Sequence, residues 1–218
     1  MALTRLNTNA YGSTINLASN VTGTLPITNG GTAATTAAAL ANTGNLVLIK
    51  TTTASDVSNV IFDNDVSDVV FDDAYKGYLL NIQRAYGATN DQKIRIITRI
   101  SGSDSTSAFR AQSVYNTYNG STSTDPASAP NNDKLYQIAG TIRTTSPEYF
   151  QGQFFFYGIG TSTRMMMTGQ CGYKNNSGYH HNEAFSSGAD NTETTTGIKI
   201  DMASGNIYGT FSLYGIKT

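Results

Sequence analysis

Gly152-Gln153-Phe154-Phe155-Phe156-Tyr157-Gly158-Ile159-Gly160-Thr161 sets four consecutive aromatic residues between glycines. Successive side chains of a strand point to opposite faces, so an aromatic at every position requires cover on both, by a second sheet or by a neighbouring subunit. The pattern returns at the other end of the sequence as Gly209-Thr210-Phe211-Ser212-Leu213-Tyr214-Gly215-Ile216-Lys217-Thr218, sharing G-x-F-x-[FL]-Y-G-I-x-T. Two long strands in similar central positions account for this echo, and an old duplication is the alternative. Outward from these two stretches, apolar or alternating runs separated by Gly, Asn, Asp, Ser and Pro predict strands at 46–52, 57–62, 77–86, 93–100, 108–115, 135–143, 150–159, 164–173, 178–184, 197–202 and 207–216. In 93–100, Ile94, Ile96 and Ile100 share one face and Arg95, Ile97 and Arg99 the other, which predicts one wet side. The polar stretches 116–133 and 186–196 read as partner-facing loops. The expected fold is all-β: an antiparallel β-sandwich, jelly-roll-like, over residues 46–218.

Composition narrows the function. The chain has 218 residues with 14 Lys+Arg, 15 Asp+Glu and a formal net charge of -1, and only 13% of its residues are charged, against about 25% in an ordinary soluble domain. Without a basic block there is no electrostatic footprint for nucleic acid. Apolar runs fall far short of the roughly 18 residues a membrane-spanning helix needs, so no membrane insertion is expected. The opening residues carry no continuous apolar stretch, so no cleaved signal peptide is read. The single cysteine, Cys171, excludes an intramolecular disulfide and a cysteine-rich metal site.

Residues 1–45 contain one charged side chain, Arg5, and few large apolar ones. Such a segment has little to bury and is expected to be an extended arm that orders mainly against a partner. Within it, 32–42 is Ala-rich, with Thr available as N-cap and Gly44 beyond as a stop, and predicts one short helix.

Few side chains suggest chemistry. Asp63, Asp65, Asp68, Asp72 and Asp73 form the densest charge in the chain. A solvated acidic turn is the favoured reading, with a weak calcium candidate at Asp63, Asp65 and Asp68, because the EF-hand's Gly and terminal Glu are missing. His180 and His181 are adjacent and on a strand would face opposite ways, which suits neither one metal nor one acid-base unit. Gly30-Gly31 lacks the Gly-Lys-Ser/Thr of a phosphate loop. Met165, Met166 and Met167 are expected in the core or at a subunit interface. Tyr115, Tyr118 and Tyr179 lie near predicted loops and suit surface contact. Protein is favoured over sugar as their partner because Trp is absent and Tyr is enriched at interfaces. No catalytic residue and no cofactor are indicated.

Val21-Thr22-Gly23-Thr24-Leu25-Pro26-Ile27-Thr28-Asn29-Gly30-Gly31-Thr32-Ala33-Ala34-Thr35-Thr36 resembles the V-x-G-T-L-P-x-x-N-G-G-T-x-x-T-T segment of tail-fibre and other virion appendage proteins of tailed bacteriophages. The resemblance covers about 16 residues, with Ala33 standing where usual members have Gly. It implies a virion structural protein, assembled in the host cytoplasm and commonly a homotrimer, that contacts other capsid or tail proteins and, through its β domain, a host-surface glycan or protein. Leu25 and Pro26 would then be apolar anchors, Asn29, Gly30 and Gly31 the turn into the short helix, and Leu40 part of a trimer axis. A fibre or spike, on tail or head, is the leading expectation. Capsid decoration, with the arm stapling capsomers, is the alternative. A glycan-degrading tailspike enzyme would need acids paired across a groove, for which the sequence offers no strong pair.

Overall fold

In the computed structural model, the residues described are 45–105, 109–118, 122–129, 136–137, 141–142, 149–175, 177–189 and 193–217. The chain divides after Gly44, and Asn45–Thr218 forms one compact unit. The predicted arm sites Leu25, Pro26, Asn29, Gly30, Gly31 and Leu40, and the predicted helix at 32–42, lie outside the described residues.

All described regular structure is β, as expected: β1 (Leu46–Val57), β2 (Asn59–Asp63), β3 (Gly77–Gly87), β4 (Ile94–Ile100), β5 (Ser103–Asp104), β6 (Phe109–Tyr118), β7 (Thr122–Ala129), β8 (Tyr136–Gln137), β9 (Phe150–Tyr157), β10 (Met166–Lys174), β11 (His180–Ala189), β12 (Gly197–Met202) and β13 (Ile207–Ile216). They form an eight-stranded sheet in the order β1-β13-β3-β9-β10-β11-β6-β7 and a five-stranded sheet ordered β2-β12-β4-β5, with β8 also on β4. Every named pairing is antiparallel. The chain switches sheets between β1 and β2, where Asp56 takes a positive φ of 60° and accepts hydrogen bonds from Asn206 Nδ2 at its carbonyl and carboxylate.

Alternation along the strands builds one core to which both sheets contribute. From the large sheet come Leu80 and Ile82 of β3, Phe150, Phe154 and Phe156 of β9, Met167 of β10, and Phe211 and Leu213 of β13; from the small sheet come Phe62, Ile96, Ile198 and Ile200. Each aromatic of this set that leaves water completely contributes about 1.5–3 kcal/mol. The echoed stretches are β9 and β13, which flank β3 on its two sides: Leu80 pairs with Phe154 on one and Leu213 on the other. Both echoed stretches thus pack on a common neighbour, which fits two long strands in similar central positions.

One expectation about the strands is narrowed and three are corrected. Of the two kinds of cover expected for the four aromatics, a second sheet supplies one face: Phe154 and Phe156 are fully buried, whereas Phe155 is half-buried and Tyr157 is 46% exposed on the opposite face, the one a neighbouring subunit would have to cover. The stretch 116–133 is not one loop: β6 runs on to Tyr118 and β7 returns antiparallel. Ser, Thr and Asn serve an edge strand as readily as a loop, and Pro126 is tolerated because β7 ends the sheet. The second predicted loop begins late, since β11 continues to Ala189 with Ser187 and Ala189 turned inward. The predicted wet side of β4 is nearly dry, because acids from other strands close over its arginines.

Those acids make an alternating chain on the outer face of the small sheet. Arg99 Nε donates to Asp63 Oδ2 at 2.7 Å, and Arg99 also reaches Asp104 and the Gly102 carbonyl. Lys199 contacts Asp104 and lies 3.6 Å from Asp201. Arg95 holds Asp201 with two hydrogen bonds, of 2.7 and 2.8 Å. Gly197 makes room for the first of these pairs, standing in register between Asp63 and Arg99.

The predicted solvated acidic turn is corrected in part. Asp63 is fully buried, with Oδ1 accepting from the Asp65 amide at 2.8 Å. Asn64 closes the loop by exchanging hydrogen bonds with the Phe71 backbone, and Val69 and Phe71 plug it into the core. Asp65, Asp68 and Asp73 remain exposed.

Candidate functional site on the outer face of the large sheet

The face of the large sheet turned away from the core is organised in rows, because register places residues from distant parts of the chain side by side. One row runs Thr51, Ser212, Asn81, Gln153, Gln170, Ala184, Val114 across seven strands. The next includes Gln151, Gly172 and Asn182, with Thr53, Thr210 and Gln83 on the β1 side. Two small residues lower the floor here: Ala184 between Gln170 and Val114, and Gly172 between Gln151 and Asn182. The longer amides around them form walls, leaving a groove of about 660 Å³ lined by Asn81, Gln83, Gln151, Gln153, Gln170 and Asn182.

A second depression of about 420 Å³ continues the first, sharing Gln151, Gly172 and Asn182 and adding Tyr149, Lys174 and His180. Tyr149 belongs to an aromatic group. Tyr86 stacks on Tyr208 with centroids 4.7 Å apart and lies 5.7 Å from Tyr149. The Arg84 guanidinium sits 4.8 Å over the Tyr149 ring and donates to its hydroxyl at 3.2 Å. This contact raises the Arg84 pKa further, and a hydrogen bond with Asp56 holds the Tyr208 phenol above its usual value.

Toward the opposite end of the strands, where β1 begins, the same face turns apolar. One row contains Leu48, Tyr214, Leu79 and Phe155; the terminal row brings Leu46 beside Ile216 and Tyr157 beside Met166. Leu46 is 46%, Leu48 54%, Tyr157 46% and Met166 53% exposed. Met165 and Met167 are buried, so the methionine run supplies both the core and this outer row.

The residues singled out from sequence are not brought together. Tyr115 stands in register with Glu183 and Tyr118 with His180, three positions apart on β6. Tyr179 is exposed, its amide donating to Asn175 Oδ1 in the turn between β10 and β11. His180 is exposed and His181 buried, facing opposite ways as expected. His181 stacks on Tyr173 at 5.1 Å, and burial lowers its pKa. Asp63 is committed to Arg99, and no three His, Cys, Asp or Glu side chains among the described residues gather closely enough to hold a metal ion.

The amides of the groove escaped sequence reasoning. Their only local signal is polar alternation within strands, and register alone assembles them. Chemically they offer donors and acceptors side by side without charge, an arrangement suited to binding rather than to proton transfer. The chain matches no known family model, no curated protein and no solved structure.

Proposed function

We propose that this chain is a structural protein of a tailed-phage virion: a fibre- or spike-type appendage that attaches through residues 1–45 and presents its β domain to the host surface. In this reading the two sheets pack as a jelly-roll-like β-sandwich, the chain forms a homotrimer, and the paired ions of one outer face and the amides of the other leave both with little net charge. The observation that carries the reading is the apolar end of the outer face. Leu46, Leu48, Tyr157 and Met166 are exposed on the rows where β1 begins, and the sequence before β1 carries one charged side chain, Arg5. Contiguous exposed apolar patches mark interaction surfaces, and an assembly protein buries both such features against other subunits. The resemblance at 21–36 supplies the virion context. Capsid decoration fits the same features, with the arm stapling capsomers, and copy number separates the two. Particles with a fibre carry tens of copies or fewer and decorated shells hundreds, on the order set by closed symmetry.

Light scattering on the full chain tests the assembly. The expected mass is about three times the 23.2 kDa of one chain. Leu48→Asp with Met166→Asp should reduce it to that of the monomer without lowering the melting temperature of the domain. A wild-type chain that stays monomeric at high micromolar concentration argues against the proposal. So does a truncation of residues 1–45 that still enters particles at wild-type level.

A further inference from the structure

We infer that the amide-walled groove is a binding site for an uncharged oligosaccharide, laid across β3, β9, β10 and β11, with Tyr149 flanking it where β9 begins. The inference rests on the adhesive half of the proposal above and names the class of ligand. Asn81, Gln153 and Gln170 stand on adjacent strands in one row, and Gln151 and Asn182 flank Gly172 in the next. Neighbouring strands lie about 4.8 Å apart, so β3 to β11 spans about 14 Å, the reach of a short oligosaccharide rather than of a single ring.

The chemistry favours sugar hydroxyls. Each hydroxyl both donates and accepts, and each primary amide presents two donors and a carbonyl acceptor within one rigid plane. A row of amides can therefore satisfy successive hydroxyls without the desolvation cost of burying a charge. Gln83, Gln151, Gln153, Gln170 and Asn182 are all exposed, so the groups stand ready in water. The one carboxylate residue at the groove, Glu183, turns its side chain to the core and is 2% exposed. An anionic ligand would be drawn instead toward Arg84 and Lys174, beside Tyr149. A peptide is a poorer fit. Strand addition uses a sheet edge, whereas this site lies mid-sheet, and an extended peptide needs pockets for alternate side chains, where the floor here is Gly172 and Ala184. Tyr149 extends the same surface with an aromatic ring and a hydroxyl, the combination that gives Tyr its use at wet interfaces.

The test is an array of immobilised oligosaccharides probed with the full chain. The neutral arm carries cellohexaose, maltohexaose, mannohexaose and galactan fragments, the acidic arm oligogalacturonate and sialylated glycans, and an unstructured peptide series serves as a third arm. Binding to at least one neutral oligosaccharide, confirmed by calorimetry, is expected. Two variants probe the groove from exposed positions. Gln153→Ala with Gln170→Ala removes two amides, and Ala184→Trp fills the floor. Each should weaken the neutral ligand by about tenfold or more with an unchanged melting temperature. Failure of every neutral glycan to bind overturns the inference, as does capture of acidic glycans or peptides only, or undiminished binding by both variants. The Ala184→Trp chain should still form trimers and enter particles. A chain that binds neutral glycan but never assembles sinks the appendage reading and leaves the groove standing; one that assembles without binding does the reverse.

Discussion

Replacing Gly197 with alanine would place a methyl group where the Asp63 side chain lies. The added Cβ would be 2.5 Å from Asp63 Oδ2 and 2.6 Å from its Cβ and Cγ, whereas Cβ atoms directly opposite in an antiparallel pair stand about 4.5–5.5 Å apart. Either the carboxylate leaves or β2 and β12 part, and both outcomes break the 2.7 Å contact with Arg99. Asp63 is fully buried and Arg99 only 7% exposed. Breaking a buried pair costs about 3–5 kcal/mol, and forced overpacking about 1–3 kcal/mol. The two costs overlap, because expelling the carboxylate relieves the crowding, so a loss of about 3 kcal/mol or more is expected. With a urea m-value of about 2 kcal/mol/M, the unfolding midpoint falls by about 1.5 M. Gly188→Ala is the control. A Cβ there meets nothing closer than the Met165 carbonyl at 3.6 Å, and restricting the unfolded chain should leave stability unchanged or raise it by up to about 1 kcal/mol. Midpoints for the two variants that agree within about 0.3 M would refute the reasoning.

Burial raises the Tyr78 pKa from 10.0 to about 12, while its hydroxyl exchanges hydrogen bonds with the Asp72 backbone. The folded state therefore favours the neutral phenol; its contribution of roughly 2–3 kcal/mol is whole below pH 10 and drains away as pH climbs toward 12. Denaturant titrations should show the wild-type advantage over Tyr78→Phe shrinking across that window, and parallel curves count against it. His181 runs the other way: its pKa lies below the usual 6.5, so the stability it contributes is present above that pH and is lost as pH falls below it. His181→Gln should flatten the acid limb of the stability profile, and an unchanged limb would show that other groups set it. Cys171 is 6% exposed, so thiol labelling should be slow in buffer and fast in denaturant; equal rates would contradict its placement in the core.

The strands were legible where burial is one-sided and local. Alternation in β4 and the paired aromatic stretches name core residues correctly, because a period of two needs no knowledge of neighbours. What faces the other side was not legible. Arg95 and Arg99 look like a wet edge until Asp63, Asp104 and Asp201 arrive from β2, β5 and β12. Residues 116–133 are ambiguous for a related reason: Ser, Thr and Asn satisfy an edge strand and a loop equally well, and among the described residues β7 pairs with β6 alone. The groove was wholly hidden. Asn81, Gln153, Gln170 and Asn182 belong to four separate strands, and nothing in any one of them announces that register will align their amides.

The outer face of the large sheet changes character along its strands, and the change bears on which end meets which partner. At the start of β1, side chains at Leu46, Leu48, Tyr157 and Met166 gain only by leaving water. Two rows further on, Asn81, Gln153 and Gln170 lose by burial unless each finds a hydrogen-bond partner. A protein surface could cover the first set without specific chemistry, but it could cover the second only by matching every amide. A single continuous interface over the whole face would therefore trade the gain at one end against a stringent requirement at the other. The division proposed above removes the conflict, with subunits on the apolar rows and a hydroxyl-rich ligand on the amide rows beyond them. Charges placed by mutation in the two regions should accordingly act on different measurements, with Leu48→Asp altering assembly mass and Gln170→Glu altering glycan capture. A variant in either region that moved both readouts equally would mean that one partner covers the entire face.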